Sequence, residues 1–286
     1  MIRFRQGFLG LLADPVRRGY PRLENASLRV LLICVTCVCG AVGVCGQQRP
    51  RVVHVFVALA DNVDQGIVPV PAALGNGDDP GRNLYWGAAY WVRTYFRKST
   101  EWNEIAVIQN PSAAVLQRAV FYDASHNVYL VADAYQGREI KEAIVDFSQA
   151  AAGINDEKAI HVKGANGKEL EISPQPDLAV YVGHDGLMDF AIEGKFQGKA
   201  VGERQAIVLA CESKACFGPS LRPTGAKPIL WTMGLMAPEA YTLKDAVDGW
   251  MAGETAEQIR ERAARAYSEY QKISMSSALR LFSSGW

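Results

Sequence analysis

The sequence has no excess of either charge. Its 286 residues carry 30 Lys and Arg against 30 Asp and Glu, with only four histidines. A balanced chain offers no global electrostatic argument for nucleic acid as a partner. Internal repeats and low-complexity segments are absent as well. No uncharged run reaches the roughly 20 residues of a comfortable transmembrane helix. Around Cys211 and Cys216 there is neither a Gly-x-Ser-x-Gly nor a Cys-x-x-Cys pattern, so a hydrolase elbow and a dithiol redox motif lack support there. What is present is apolar material: 49% of residues are hydrophobic. That excludes a disordered chain and suffices for one large domain or two small ones.

The six cysteines look like a disulfide or metal framework until they are placed. Cys34, Cys37, Cys39 and Cys45 fall inside Val30–Gly46, a stretch without charge. Arg3, Arg5, Arg17, Arg18, Arg22 and Arg29 precede it, against Asp14 and Glu24. A basic flank ahead of a short apolar run is the pattern of a secretory leader, with Val44 and Gly46 suited to the −3 and −1 positions of a cleavage site. No His or carboxylate lies near these thiols, which argues against a metal site. We therefore expect an export signal or membrane anchor over 1–46 and a folded domain over 47–286. The protein is expected to be exported, periplasmic or extracellular, and membrane-associated through Val30–Gly46 if the segment is not cut. The remaining chain has 24 basic and 28 acidic residues, a net charge of −4, and keeps Cys211 and Cys216 alone.

Within 47–286, short unbroken apolar runs alternate with helical patterns. Val52–Ala60, Ile105–Ile108, Leu178–Val182, Ala206–Ala210 and Ile229–Thr232 read as strands. Val120–Tyr122 and Val128–Ala132 flank a hairpin turn, Asp123–Asn127, and a second hairpin is predicted around Ala165-Asn166-Gly167. Helices are predicted over Leu84–Arg97, Gly137–Ala152 (stopped by Gly153), Ala237–Met251 and Thr255–Lys272, the last opened by a Thr255/Gln258 capping box. The pattern indicates an α/β fold, a mostly parallel central sheet with helices on both faces.

Ligand and catalytic groups in such folds collect beyond the carboxyl ends of the strands. The first strand ends at Asp61 and the run Ile229–Thr232 at Thr232. LAVYV is followed by Gly183-His184-Asp185-Gly186, and AIVLA by Cys211-Glu212-Ser213. A thiol and an imidazole thus stand at two strand ends. A thiolate is a good nucleophile, and a nearby His takes its proton and returns it to a leaving amine. A helix starting just after Cys211 would aim backbone N–H groups at the developing charge.

Val180–Gly186 and Ile207–Ser213 (IVLACES) resemble the two catalytic blocks of the legumain family of cysteine peptidases, within the caspase-like group. Tyr135–Ile140 (YQGREI), Gly164–Leu170 (GANGKEL) and Ile229–Tyr241 (ILWTMGLMAPEAY) are similar to further family segments in the same order, so the resemblance covers about 52–241. It implies a caspase-like three-layer sandwich. It implies Cys211 as nucleophile and His184 as general acid/base. Oxyanion donors would be the N–H groups of Cys211 and of the glycine near His184, Gly186. Glu212 would line the substrate pocket, and Asn83 would match an asparagine that orients the histidine. Asp61, Asn83, Glu212, Ser213 and Thr232 are the expected substrate-binding positions. The implied partner is a peptide or protein substrate, with no nucleic acid, cofactor or metal. The chain departs from the family in three places: Asp185 separates His184 from Gly186, Leu84-Tyr85-Trp86 replaces the basic residues after the asparagine, and only 27 positions separate His184 from Cys211. Asparagine specificity is therefore not carried over.

Hydrolysis and transpeptidation both remain open, as does a non-catalytic binding module on the same fold. A hydrolase-like or redox protein using Cys211 and Cys216 is the third reading. His54 reads as a structural strand residue; His126 and His161 lack metal-ligand spacing. Gly75-Asn76-Gly77-Asp78-Asp79 offers too few regularly spaced oxygens for a calcium loop and reads as an active-site loop. On a regular helix the side chains of Cys211 and Cys216 diverge, which argues against a disulfide.

Overall fold

A computed structural model describes residues 49–286, except 156–157, 164–166, 168, 195 and 199–202. The export segment read over 1–46, including Val30–Gly46, lies outside the described residues, as does most of the Ala165-Asn166-Gly167 turn. The described strands are β1 (Arg51–Ala58), β2 (Asn103–Gln109), β3 (Val115–Asp123), β4 (Val128–Tyr135), β5 (Ile160–Lys163), β6 (Glu169–Ile172), β7 (Leu178–Val182), β8 (Gln205–Leu209), β9 (Lys227–Thr232) and β10 (Phe282–Ser283). The helices are α1 (Val92–Lys98), α2 (Ile140–Ala152), α3 (Ser213–Leu221), α4 (Ala240–Met251), α5 (Ala256–Gln271) and α6 (Met275–Leu281).

Eight strands form one sheet in the order β10-β9-β8-β7-β1-β4-β3-β2, while β5 and β6 pair separately. The run β9-β8-β7-β1-β4 is parallel throughout. The edges are antiparallel: β10 on β9, β3 on β4 and β2 on β3. The fold is α/β as expected, and the sheet is mixed, with a parallel centre and antiparallel edges. Short connections make β2–β3 and β3–β4 antiparallel, because a few residues can join only antiparallel neighbours, whereas β10 returns to β9 after α4, α5 and α6. Asp123 accepts the backbone N–H of Ser125 and His126, and Asn127 takes a left-handed φ of 53°, closing β3 onto β4.

Alternation along β1 divides the core. Val53, Val55 and Val57 pack with Val92 and Phe96 of α1 and with side chains of α4 and α5. Phe56 and Ala58 pack with Ile144 and Phe147 of α2 and with Phe217 and Leu221 of α3. Helices thus cover both faces. Inside β1, His54 Nε2 meets Asp133 Oδ2 at 2.7 Å, and Arg118 grips both Asp133 oxygens at 2.6 and 2.7 Å. This is a buried structural charge group, as expected for His54.

Two local expectations fail. Leu84–Arg97 is helical only in α1; residues 84–91 turn instead around Asn83, whose carbonyl accepts from Trp86, Gly87 and Ala88. The helix predicted from Ala237 begins at Ala240, because Ala237 N–H is taken by the Tyr267 hydroxyl at 3.0 Å and Glu239 is extended. The sequence reading closed at Lys272 and missed α6, capped by Ser274, and β10, which pairs with β9.

Candidate active site

The parallel register of β7 and β8 aligns Val182 with Leu209, and Gly183 N–H donates to Leu209 O at 3.3 Å. His184 and Cys211 each follow two residues beyond that pair. Neighbouring strands lie about 4.8 Å apart, so the two chains leave the sheet side by side. No strand intervenes, which accommodates the short spacing between them. Gly183 has φ 150°, and a Cβ there would sit 3.0 Å from Ala58 O, so the residue before His184 must be glycine.

The Cys211 turn is fixed from below. Ser213 Oγ donates to Val208 O at 3.0 Å and accepts Thr232 N–H at 2.9 Å, while Thr232 Oγ1 accepts Ser213 N–H at 3.1 Å and donates to Ala210 O. Glu212 adopts a left-handed φ of 46°, donates its N–H to Gly234 O at 3.0 Å and caps α3. The chain thus reverses sharply between β8 and α3, leaving Cys211 at the bend. Cys211 Sγ receives Met236 N–H at 3.5 Å and lies 3.7 Å from Met236 O. Tyr85 and Tyr267 lie within electrostatic range: burial and then the thiol raise the Tyr85 phenol, while burial raises Tyr267 against the Ala237 N–H, with Glu239 and last the thiol adding to it.

His184 is fixed from its own loop. Its carbonyl accepts the Tyr181 hydroxyl at 2.8 Å. Its Nε2 meets Asp189 Oδ2 at 2.7 Å. Asp189 ends a single helical turn, Gly186–Met188, that Asp185 opens by accepting Leu187 N–H at 3.0 Å. With Nε2 engaged by a carboxylate, Nδ1 is the ring nitrogen left for a proton from a thiol. Sequence reasoning missed Asp189. The signal was the Asp185-Gly186 turn opener, which swings the residue five positions after the histidine back onto it.

The other predicted positions separate into two groups. Glu212 is exposed beside Cys211. Asp61, Asn83, Ser213 and Thr232 are buried. Asp61 Oδ1 accepts from Val63 and Asp64 N–H. Asn83 accepts from Ala60 and Tyr85 N–H and donates to Ala60 and Asn76 carbonyls. These four side chains hold the loops at the strand ends. Asn83 therefore pins the end of β1 rather than His184. Gly186 also changes role: its N–H is taken by His184 O at 3.1 Å, and a Cβ would meet the Phe190 ring at 2.6 Å. It is a packing glycine, not an oxyanion donor. The N–H groups of Cys211 and Asp185 donate to no acceptor among the described residues.

The two free thiols lie against opposite faces of the sheet. Cys211 contacts Met236, which belongs to the cluster under α4 and α5; Cys216 packs with the cluster under α2 and α3. Cys216 adjoins Asp185, whose Oδ2 is buried without a hydrogen-bond partner. Burial pushes the Asp185 carboxyl up to about 6 against the pull of Cys216, Leu187 N–H and His184. Burial, and then Asp185, pushes the Cys216 thiol up to about 11. A thiol held protonated is a poor nucleophile, which leaves Cys211 as the candidate.

The arrangement places a thiol and an imidazole at adjacent strand ends, with a carboxylate on the imidazole. Among the described residues no three His, Cys, Asp or Glu side chains are placed to hold a metal ion. No family model matches this chain, and neither a curated protein nor a solved structure matches it.

Proposed function

We propose that the chain is an exported cysteine peptidase or transpeptidase with a caspase-like sandwich and a legumain-like core. The observation that carries this reading is the pairing of β7 with β8, which delivers His184 and Cys211 to one edge while Asp189 engages the far nitrogen of the imidazole. The parallel run β9-β8-β7-β1-β4 with helices on both faces is consistent with the caspase-like architecture.

In the reaction, His184 Nδ1 takes the Cys211 proton as Sγ bonds to a peptide carbonyl carbon. The oxygen gains the carbonyl electron pair and is stabilised by the Cys211 and Asp185 N–H groups and the first turn of α3. Collapse breaks the C–N bond, and the proton held on His184 passes to the leaving amine. The thioester then acylates water or a second amine, and His184 removes the proton from that nucleophile. Asp189 acts through His184 as a positioning residue.

One observation favours a non-catalytic binding module on the same fold: Cys211 Sγ contacts Met236, and no hydrogen bond joins it to His184. Catalytic hydrogen bonds often tighten only when substrate is bound. Digestion of a peptide library, with sequencing of the new termini, separates the two readings. The peptidase yields cut or joined peptides that vanish in Cys211→Ala and in His184→Ala. Products identical for the wild-type chain and both variants would refute it.

A further inference from the structure

Five of the chain's eleven tyrosines form one linked group: Tyr90, Tyr95, Tyr241, Tyr267 and Tyr270. Tyr241 and Tyr270 stack at 4.1 Å with planes 8° apart, and Tyr90 stands edge-on to both. The hydroxyls of Tyr95 and Tyr270 meet at 3.2 Å. Tyr267 joins this group to the candidate nucleophile: its ring lies 6.5 Å from Tyr241, and its hydroxyl accepts the N–H of Ala237, the residue after Met236. Tyr90 and Tyr270 remain 49% and 41% exposed, a large aromatic surface for a monomer to leave in water.

A cavity of about 470 Å3 opens beside Tyr90 and Tyr95. Its ionic lining is Lys98, Glu101, Lys244 and Asp245. The Lys244 ammonium is occupied by Asp248 at 2.7 Å and Glu101 at 3.5 Å. Asp245 makes no hydrogen bond or ion pair to a described residue; Asp248 and Glu269 lie within electrostatic range of it, as does Lys244. Glu239 contacts Gln271 and Tyr241 but no cation. Arg262 is within range of Asp245 but is held by Glu254. Lys98 stands exposed at the rim. Carboxylates therefore outnumber cations around a group of tyrosine rings, with one carboxylate uncommitted. Aromatic faces and unpaired carboxylates both favour a cation, and a long alkyl stem lies well along such rings.

We propose that this tyrosine-walled cavity binds a lysine or arginine side chain of a polypeptide, its stem along Tyr90 and Tyr95 and its charge at Asp245. The site deepens the peptidase reading and rests on it for one point, that the bound polypeptide is a substrate. It names the substrate class: peptides with a basic residue removed from the scissile bond.

The test uses the full chain carrying Cys211→Ala, which cannot turn peptide over. Fluorescein-labelled glycine-serine dodecapeptides with one central arginine, lysine, norleucine or glutamate are titrated and read by fluorescence polarisation. Arginine and lysine peptides are expected to bind at least about five-fold more tightly than norleucine, as a cation over aromatic rings predicts. High salt, Tyr90→Ala and Asp245→Asn should each erase that preference, while Tyr90→Phe keeps it. Equal binding of norleucine, a preference for glutamate, or no saturable binding would overturn the site. So would a preference that survives both substitutions in folded protein. Failure here with Cys211 of the wild-type chain still labelled by peptide electrophiles sinks the site and spares the peptidase. Retained binding without labelling does the reverse.

Discussion

His184 Nε2 lies 2.7 Å from Asp189 Oδ2, and the two residues sit on one loop, five positions apart. The His184 side chain is 15% exposed and that of Asp189 53% exposed. At that exposure the pair adds little to stability, so its consequence is orientational. In the proposed mechanism the carboxylate accepts from Nε2–H, the tautomer in which Nδ1 serves as the base. Asp189→Asn lets an amide donor face Nε2 and invites the wrong tautomer. Labelling of Cys211 by a peptide electrophile is expected to slow by about ten- to a hundred-fold, less than the loss from a buried catalytic carboxylate. Asp189→Glu should restore part of the rate. Unchanged rates in Asp189→Asn would reduce the pair to a surface contact.

The link between Ser213 and Thr232 gives a stability prediction that also touches the site. Both side chains are fully buried and satisfy the carbonyls of Val208 and Ala210. Thr232→Val keeps the shape and removes the hydroxyl. It leaves Ala210 O and Ser213 N–H without that partner, at a cost of about 1–3 kcal/mol. Urea unfolding measures it, and the Cys211 labelling rate should fall with it because the same link sets the turn. Loss of stability with an unchanged labelling rate would separate the link from the site.

Glu212 holds a left-handed backbone that glycine adopts freely and β-branched residues resist. Glu212→Gly is expected to leave stability level or raise it by up to about 1 kcal/mol, while Glu212→Val lowers it by about 1–2 kcal/mol. Equal midpoints for the two variants would contradict the strained turn.

Asp185 should make the protein less stable as pH rises. Its folded carboxyl is raised from 3.8 to about 6 by burial. The folded state therefore holds its proton where the unfolded chain has lost it. That contribution is complete below the ordinary carboxylate value and is lost as pH climbs through about 6, roughly 3 kcal/mol in all. Asp185→Asn keeps an acceptor for Leu187 N–H and removes the titration. Its stability between pH 4 and 7 should be flatter than that of the wild-type chain, as read by urea midpoints. Parallel curves would contradict the assignment.

Asp133 runs in the opposite direction. Burial alone would raise its carboxyl, but Arg118 and then His54 outweigh burial and hold it down to about 2. That stability is present above the ordinary carboxylate value and is lost as pH falls from about 4 toward 2. Asp133→Asn removes the charge that faces Arg118 and His54 inside the sheet and should cost about 3–5 kcal/mol at neutral pH. A thermal scan with no loss would show that the group carries no net stability.

The strands that hold the site were legible because each is a short apolar run closed by polar residues, as with LAVYV before His184 and IVLA before Cys211. The mixed character of the sheet was less legible. It arises where Asp123 and Asn127 close a hairpin and where β2 and β10 add antiparallel edges, and a short apolar run carries no mark of its strand's direction. The roles at the strand ends were hardest to read. Asn83, Ser213 and Thr232 carry side chains suited to binding a substrate, but the same groups satisfy backbone atoms at tight turns, and only burial separates the two uses. Asp189 went unread because its approach to His184 depends on one helical turn opened by Asp185. The linked tyrosines come from distant positions in the chain and meet where α4 and α5 pack beside α1 and the turn before it.

The central claim is that Cys211 is a nucleophile served by His184. The most direct measurement is incubation of the full chain with an acyloxymethyl-ketone peptide library, followed by mapping of adducts by mass spectrometry. The account predicts one adduct, on Cys211, lost in His184→Ala and unaffected by Cys216→Ala. No adduct on Cys211 across the library in folded protein, or an adduct that persists unchanged in His184→Ala, would contradict it.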